Sequence, residues 1–321
     1  MPVSSGARRA WLIARIVISL GLVAVLAGSV EWPRVLAAAR DVSLPWLLIS
    51  TFYIPASIAL VAVRYRVLIL RMVSLREMLR LVVLQGAVST FVANAAGSLG
   101  LVAVLVKVYK VPMELSIRAM ILARLGDILC ALPLTALLAA ITWRSLGPVQ
   151  LPILIAMSAA AAVILLACAL AAFNRRKPVP ASIGSADNLP EEPSLRDKLR
   201  GVLARIARLE SSYLGSILPG TFVYSLLLQA LTATAMYLNA IAFGLPISFL
   251  EAATVGVIAS LLASMPITIF GGLGVYEAST VGLLALFGVP IEAGASMILV
   301  VRAIFFGTMA LAFMAIRQPA H

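Results

Sequence analysis

Apolar stretches separated by short polar segments run through the whole chain. Crossing a bilayer takes roughly 20 apolar residues in a helix. Stretches that reach or approach this length lie at about Trp11–Val30, Leu44–Val63, Ile117–Thr142, Leu151–Phe173, Tyr213–Phe243 and Ala293–Ile316. Arg8 and Arg9 before the first stretch also suit a signal peptide, but its length favours a membrane helix. The pattern predicts an all-α, polytopic membrane helix bundle.

Two further apolar segments are interrupted by glycine-rich breaks. Leu81–Ala96 and Leu101–Val111 flank the first break, which runs from Gly97 to Gly100. Leu250–Met265 and Val275–Phe287 flank the second. No half-segment spans a bilayer comfortably, so we predict two re-entrant helical hairpins. Glycine suits places where the backbone turns sharply or a ligand approaches closely, and the residues concerned are Gly97, Gly100, Gly271, Gly272 and Gly274.

A short motif after each break indicates an internal repeat. Val111-Pro112-x-Glu114 is followed ten residues later by Arg124, and Val289-Pro290-x-Glu292 is followed at the same spacing by Arg302. Paired, Gly/Pro-interrupted segments are typical of transporters whose site lies at the repeat interface. The predicted repeat cores are residues 81–143 and 250–316.

The only long polar stretch covers residues 174–212. It contains a basic amphipathic piece, Leu195–Leu209, of the kind that lies on an anionic membrane surface. The stretch is short for a folded domain, so residues 1–321 are predicted to form one integral membrane domain with a basic cytoplasmic loop.

Composition supports this class and excludes others. Hydrophobic residues make up 62% of the chain and charged residues 12%, against about 25% charged residues in soluble domains. The net charge of +12 lies in loops between apolar spans, which does not fit a nucleic-acid surface. The two cysteines and the terminal His321 offer no metal site or disulfide framework, so no cofactor is predicted.

The distribution of basic residues predicts the topology. With the N-terminus inside a cell inner membrane, most arginines and lysines fall in cytoplasmic loops, including the five arginines from Arg64 to Arg80. The two hairpins then enter from opposite sides of the membrane. This arrangement predicts an inverted repeat around a site near the midplane.

Four charged residues lie inside apolar stretches: Arg124, Asp127, Glu277 and Arg302. Charges at that depth usually face a cavity and pair. Arg124 and Asp127 could form a structural pair within one helix. Alternatively, Arg124 and Arg302 flank one cavity and hold a phosphate, which the planar guanidinium fork suits. Glu277 could cap a half-helix or meet a cationic head group, and Asn94 could cap a half-helix or line the site.

The same residues resemble a known family. Asn94-Ala-Ala-Gly97-Ser-Leu-Gly100, Leu122-Ala-Arg124-Leu-Gly-Asp127 and Gly271-Gly-Leu-Gly274-Val-Tyr-Glu277-Ala are similar to the transmembrane region of lysylphosphatidylglycerol synthases. The resemblance covers about residues 10–316 and implies a flippase-like membrane protein. Ala96, Ser98, Leu101 and Tyr276 depart from the family pattern, which suggests a different head-group preference. The chain has no room for the aminoacyl-transferase domain, so lipid aminoacylation is not expected.

The predicted function is a lipid translocase rather than an enzyme. Its substrate would be an anionic or aminoacylated phospholipid, or a polyprenyl phosphate. Arg124 and Arg302 would hold the phosphate, and Asp127 and Glu277 would balance charge. The alternatives are a membrane enzyme or an accessory subunit in lipid or lipid-linked glycan synthesis, or a transporter of small solutes. A homo-oligomer or a lipid-modifying partner enzyme is the protein partner expected.

Overall fold

The computed structural model describes residues 20–142, 211–264 and 272–317, together with Val17. The predicted span Leu151–Phe173 and nearly all of the 174–212 loop lie outside these ranges. Within them the chain is helical and contains no strand. We number the helices α1 Leu20–Ser29, α2 Trp32–Arg40, α3 Leu44–Thr51, α4 Tyr53–Leu68, α5 Leu75–Phe91, α6 Asn94–Lys107, α7 Met113–Ile141, α8 Ser211–Ala242, α9 Phe249–Ala263, α10 Val275–Leu286 and α11 Ile291–Arg317.

Among the described residues, four helical stretches are long and apolar enough to cross a membrane: Leu44–Leu68, Met113–Ile141, Gly220–Ala242 and Ile291–Ile316. Their outer faces carry large apolar side chains such as Phe52, which is 74% exposed. Such a surface is stable in lipid and would aggregate in water. The predicted polytopic helix bundle is therefore confirmed.

The segment between the first two predicted spans is ordered as helix α2. It meets α1 at a bend of 84°. Its first turn contains Pro33, at a position where a proline costs no hydrogen bond. Arg34 and Arg40 therefore lie on a helix that packs against α11.

The first hairpin breaks earlier than the glycines predict. Helix α5 ends at Phe91 and α6 starts at Asn94, so Gly97 and Gly100 lie inside α6 rather than at the break. Helices α5 and α6 pack against each other. A Cβ atom on Gly97 would overlap the side chain of Ser89 and the backbone of α5, whereas one on Gly100 would meet nothing. Gly97 thus permits close helix packing rather than a turn.

The second hairpin does turn at its glycines. Gly272 and Gly274, just before α10, have φ values of 85° and 82°, a region that residues with a Cβ rarely adopt. Gly271 lies outside the described residues. The two breaks therefore differ, although their sequences look alike.

The turn between α4 and α5 recurs between α8 and α9. Ser74 and Ser248 cap α5 and α9, and each forms a capping box with the glutamate three residues later. Three N–H···O=C bonds of the first turn reappear in the second at one constant sequence offset. In the first turn, the N–H groups of Ile69, Leu70 and Arg71 donate to the carbonyls of Tyr65, Val67 and Arg66. In the second turn, those of Phe243, Gly244 and Leu245 donate to the carbonyls of Asn239, Ile241 and Ala240.

The duplicated Val-Pro-x-Glu motif forms a second recurring turn, between α6 and α7 and between α10 and α11. The residue before each valine has a positive φ, 54° at Lys110 and 81° at Gly288. Both valines are buried. Each proline carbonyl accepts the N–H of the residue four positions later, Ser116 or Gly294, and each glutamate lies in the first turn of that helix. The sequence duplication therefore reflects duplicated backbone structure.

These turns divide the bundle into a first unit, α4–α7, and a second unit, α8–α11. Each unit has its own core of buried side chains. The packing between units is reciprocal, because α5 contacts α11 and α9 contacts α7. Helix α4 also packs along α8.

The helices α4 and α8 run antiparallel. Tyr53 near the start of α4 contacts Thr232, whereas Arg64 near its end contacts the earlier residue Ser225. Just before α3, the Ser43 N–H binds the carbonyl of Ala242, the last residue of α8. The first helices of the two units therefore point in opposite directions.

Candidate functional site

A cavity of about 250 Å³ lies where α3 and α4 meet the second unit. Side chains from α3, α4 and α8–α11 form its walls. Its polar lining residues are Ser50, Thr51, Tyr53, Thr232, Asn239, Ser260, Ser264, Tyr276 and Arg302. Small-molecule binding sites are usually cavities of this kind, with mostly apolar walls and several converging polar groups.

Among the described residues of this lining, Arg302 is the one that carries a charge, and Glu277 neutralises it. The Nε of Arg302 donates to Glu277 Oε1 at 2.5 Å, and the two side chains are 12% and 5% exposed. The other oxygen, Glu277 Oε2, accepts the N–H of Gly274 at 2.7 Å. Glu277 therefore caps α10 and holds Arg302 in place with the same carboxylate.

Aromatic rings surround the Arg302 guanidinium. Its carbon lies 5.2 Å from the ring centre of Tyr276 and 4.9 Å from that of Phe306. Guanidinium groups are attracted to aromatic faces at such distances. The rings and the ion pair together fix the arginine at the cavity wall.

A second charged cluster ties both units together. Arg64 on α4 donates from Nη1 to Asp127 Oδ1 on α7 at 2.5 Å, and to Ser225 Oγ on α8 at 3.1 Å. Ser225 in turn donates to Asp127 at 2.9 Å. Gly126 allows this approach, because a Cβ there would meet Thr221 and Ser225.

This cluster corrects two predictions. Arg64 is only 4% exposed and lies within α4, not in a cytoplasmic loop after the second predicted span. Asp127 pairs with Arg64 on another helix rather than with Arg124 on its own. Sequence reasoning missed Arg64 because the predicted span stopped at the first charge. The signal was the apolar residues that continue beyond it at helical spacing, to Leu68 and Ile69.

The two motif arginines each contact the second helix of their own hairpin. Arg124 Nη2 donates to Ser98 on α6 at 3.0 Å, and Arg302 lies over Tyr276 on α10. Ser98 and Tyr276 both lie 26 residues before their arginine. The arginine contact is therefore duplicated along with the turns, and the partner position is serine in one unit and tyrosine in the other.

The remaining predicted site residues are placed unevenly. Arg302 lines the cavity, whereas Arg124 does not, so the described residues do not show one chamber with both arginines. Gly272 and Gly274 form the turn before α10. Nothing is described of the Asn94 side chain or of Gly271. Tyr53, Thr232 and Asn239 are cavity residues that the sequence did not single out.

Comparison with known protein families identifies the family of this chain. The family model for the lysylphosphatidylglycerol synthase TM region matches residues 12–312. No match was found among curated proteins or among solved structures. The match includes both helical units, both hairpins and the cavity. A chain matched over nearly its whole length in this way belongs to the family of the lysylphosphatidylglycerol synthase transmembrane region, a family of membrane proteins linked to lipid handling.

Proposed function

We propose that this protein moves a phospholipid or a lipid-linked phosphate between the leaflets of a membrane. The head group would pass between two inverted copies of one helical unit, each containing a re-entrant hairpin, while the acyl chains stay in the bilayer. The observation that carries the proposal is the duplicated arginine contact, Arg124 with Ser98 and Arg302 with Tyr276. It gives each unit an equivalent cationic group beside its hairpin.

The antiparallel first helices support the inversion. If α4 and α8 are equivalent, as their matching turns indicate, then opposite directions mean that the second unit is inverted relative to the first. Inverted units open to opposite sides of a membrane, which is the architecture of alternating access. A lipid carrier needs such an arrangement to release a head group on the side opposite to entry.

The arginines suit the phosphate of the passing lipid. A guanidinium group stays charged and binds two oxygens of a phosphate at once. In the proposal, the phosphate meets Arg124 and Arg302 in turn, one in each unit. Asp127 neutralises the buried charge of Arg64, and Glu277 neutralises that of Arg302.

The proposed location is the cell inner membrane, with the N-terminus and residues 174–212 on the cytoplasmic side. Arg71, Arg76 and Arg80 are exposed around the start of α5, where a cytoplasmic surface would place them. Arg64 no longer contributes to this surface, but the remaining arginines keep its charge positive.

The test is leaflet exchange in reconstituted vesicles. Fluorescent phospholipids would be quenched from outside, and the rate at which inner-leaflet lipid becomes accessible would be measured. We expect the variant Arg124→Gln with Arg302→Gln to exchange lipid at least about 10-fold more slowly, since a hydrogen bond to a charged group contributes about 1.5–3 kcal/mol. Arg34→Gln with Arg40→Gln removes the same charge from α2 and should exchange at the wild-type rate.

Two outcomes would contradict translocation. One is wild-type protein that exchanges lipid no faster than empty vesicles. The other is an Arg124/Arg302 variant that exchanges lipid at the wild-type rate, after its thermal unfolding transition has shown that it is folded.

A further inference from the structure

The cavity beside Arg302 has an unusual distribution of hydrogen-bond donors and acceptors. Five of its lining hydroxyls donate their single hydrogen to a carbonyl of their own helix. They are Ser50, Thr51, Thr232, Ser260 and Ser264, which donate to Leu47, Leu48, Leu228, Val257 and Leu261. A carbonyl can only accept, so the direction of these bonds is fixed. The hydroxyls therefore present lone pairs to a ligand.

Tyr53 and Asn239 add further hydrogen-bond acceptors to the cavity. Tyr53 lies 3.4 Å from Thr232, and because the Thr232 hydrogen is used on Leu228, Tyr53 is the donor in that pair. The Oδ1 of Asn239 has no hydrogen-bond partner, although the residue is only 7% exposed. An unsatisfied buried acceptor costs stability unless a ligand or water meets it. The cavity is thus rich in acceptors, and one of them lacks a donor.

The net charge of the cavity lining further restricts the chemical class of ligand that fits. Arg302 is compensated by Glu277, so the charges of the described lining sum to zero. An ammonium group would enter as an uncompensated buried charge, which is costly. A phosphate, which only accepts hydrogen bonds, would suit the Arg302 end of the cavity but would face the lone pairs of the hydroxyls in the rest of the lining.

We infer that this cavity binds the uncharged, hydroxyl-bearing part of a lipid head group, such as a glycerol or a sugar. Hydroxyl groups donate to the lining oxygens and to Asn239 without adding charge. The volume of about 250 Å³ equals that of roughly eight water molecules, enough for such a group and too small for a two-tailed lipid. The inference deepens the proposed translocation and rests on it for the identity of the ligand as a lipid.

The test is equilibrium binding to purified full-length protein in micelles, measured by native mass spectrometry against a fixed excess of phosphatidylcholine. The four probes are phosphatidylglycerol, monoglucosyl diacylglycerol, phosphatidylethanolamine and phosphatidic acid. We expect one or both hydroxyl-bearing lipids to be retained more than the ammonium lipid and the bare phosphate. The member of the pair that binds more tightly identifies the head group as glycerol or sugar.

Substitutions then connect this binding to the cavity. Asn239→Leu removes the unpartnered acceptor at similar volume and should weaken the retained lipid about 3- to 10-fold, the value of one lost hydrogen bond. Gln229→Leu is the matched control. It lies on the same helix and also has an unpartnered side-chain oxygen, but does not line the cavity, so its binding should equal that of the wild type.

The inference is overturned if phosphatidylethanolamine or phosphatidic acid binds as well as both hydroxyl lipids, or if Asn239→Leu binds like the control. Should Asn239→Leu fail to fold, Thr232→Val removes another acceptor of the same wall, and unchanged binding there has the same meaning. Selective binding without leaflet exchange would contradict only translocation. Exchange without this selectivity would contradict only the assignment of the cavity.

Discussion

At the scale of single residues, the buried charges are held in cross-helix pairs. Arg302 and Glu277 join α11 to α10, and Arg64 and Asp127 join α4 to α7. A buried charge without its partner is expensive, because the lost hydration is no longer offset. Each pair therefore fixes two helices in one relative position, which a site between helices requires.

The Arg302–Glu277 pair gives a prediction about stability. Glu277→Gln leaves Arg302 charged and buried, so the free energy of unfolding should fall by about 3–5 kcal/mol. Adding Arg302→Met should restore most of the loss, because the pair is then replaced by neutral groups. Thermal and denaturant unfolding of the detergent-solubilised protein would measure both.

The exposed pair of Glu31 and Arg34 provides the control for this prediction. Its side chains are 62% and 69% exposed at an N···O distance of 3.0 Å. Exposed pairs contribute about 0–1 kcal/mol, so Glu31→Gln should change stability by less than about 1 kcal/mol. A loss of that small size for Glu277→Gln as well would show that the buried pair does not hold the helices.

At the scale of helices, similar glycine motifs have different functions in the two hairpins. Gly97 lies inside α6 and allows α5 to approach, whereas Gly272 and Gly274 adopt positive φ in a turn. Among the described residues, only the second hairpin therefore has its glycines in the turn. The first turns at Val92–Ala93, where the sequence carries no glycine or proline.

Alanine substitution separates packing from flexibility in α6. Gly97→Ala should destabilise the protein by about 1–3 kcal/mol, as overpacking usually does, because the added Cβ meets α5. Gly100→Ala adds the same atom to the same helix in open space, and should be neutral or stabilising by up to about 1 kcal/mol. Equal effects of the two substitutions on the unfolding midpoint would contradict close packing at Gly97.

At the scale of the whole molecule, two four-helix units interlock through reciprocal contacts between their hairpins and long helices. Each unit keeps its own core, and the cavity lies where the first helices of the chain meet the second unit. The units are also joined to each other, because Leu138 of α7 packs in a buried cluster with Ala233, Ala253 and Val257 of the second unit.

The proposed inversion of the units predicts opposite accessibility of equivalent turns. Met72 and Pro246 are exposed residues at matching positions of the α4–α5 and α8–α9 turns. Single cysteines at these positions, with Cys130 and Cys168 replaced by alanine, should react with an impermeant maleimide from opposite sides of intact vesicles. Met72→Cys is expected on the cytoplasmic side. Labelling of both from one side would rule out inversion.

The sequence by itself determined the class, the main helices and the duplication. Hydrophobic length dictates membrane helices because backbone groups in lipid must be satisfied within a helix. The Val-Pro-x-Glu motif predicts its turns because proline and a residue at positive φ restrict the backbone locally. The same motif locates Arg124 and Arg302, each of which follows the glutamate of its motif by ten residues.

Only the tertiary structure decided which charges pair and where the cavity lies. Asp127 is one turn from Arg124 in sequence yet pairs with Arg64, because α4 and α7 bring those groups together. Gly97 serves packing because α5 folds back against it. Tyr53, Thr232 and Asn239 become one site only where distant helices converge. Local patterns constrain φ and ψ, whereas these contacts depend on helix packing between residues far apart in the chain.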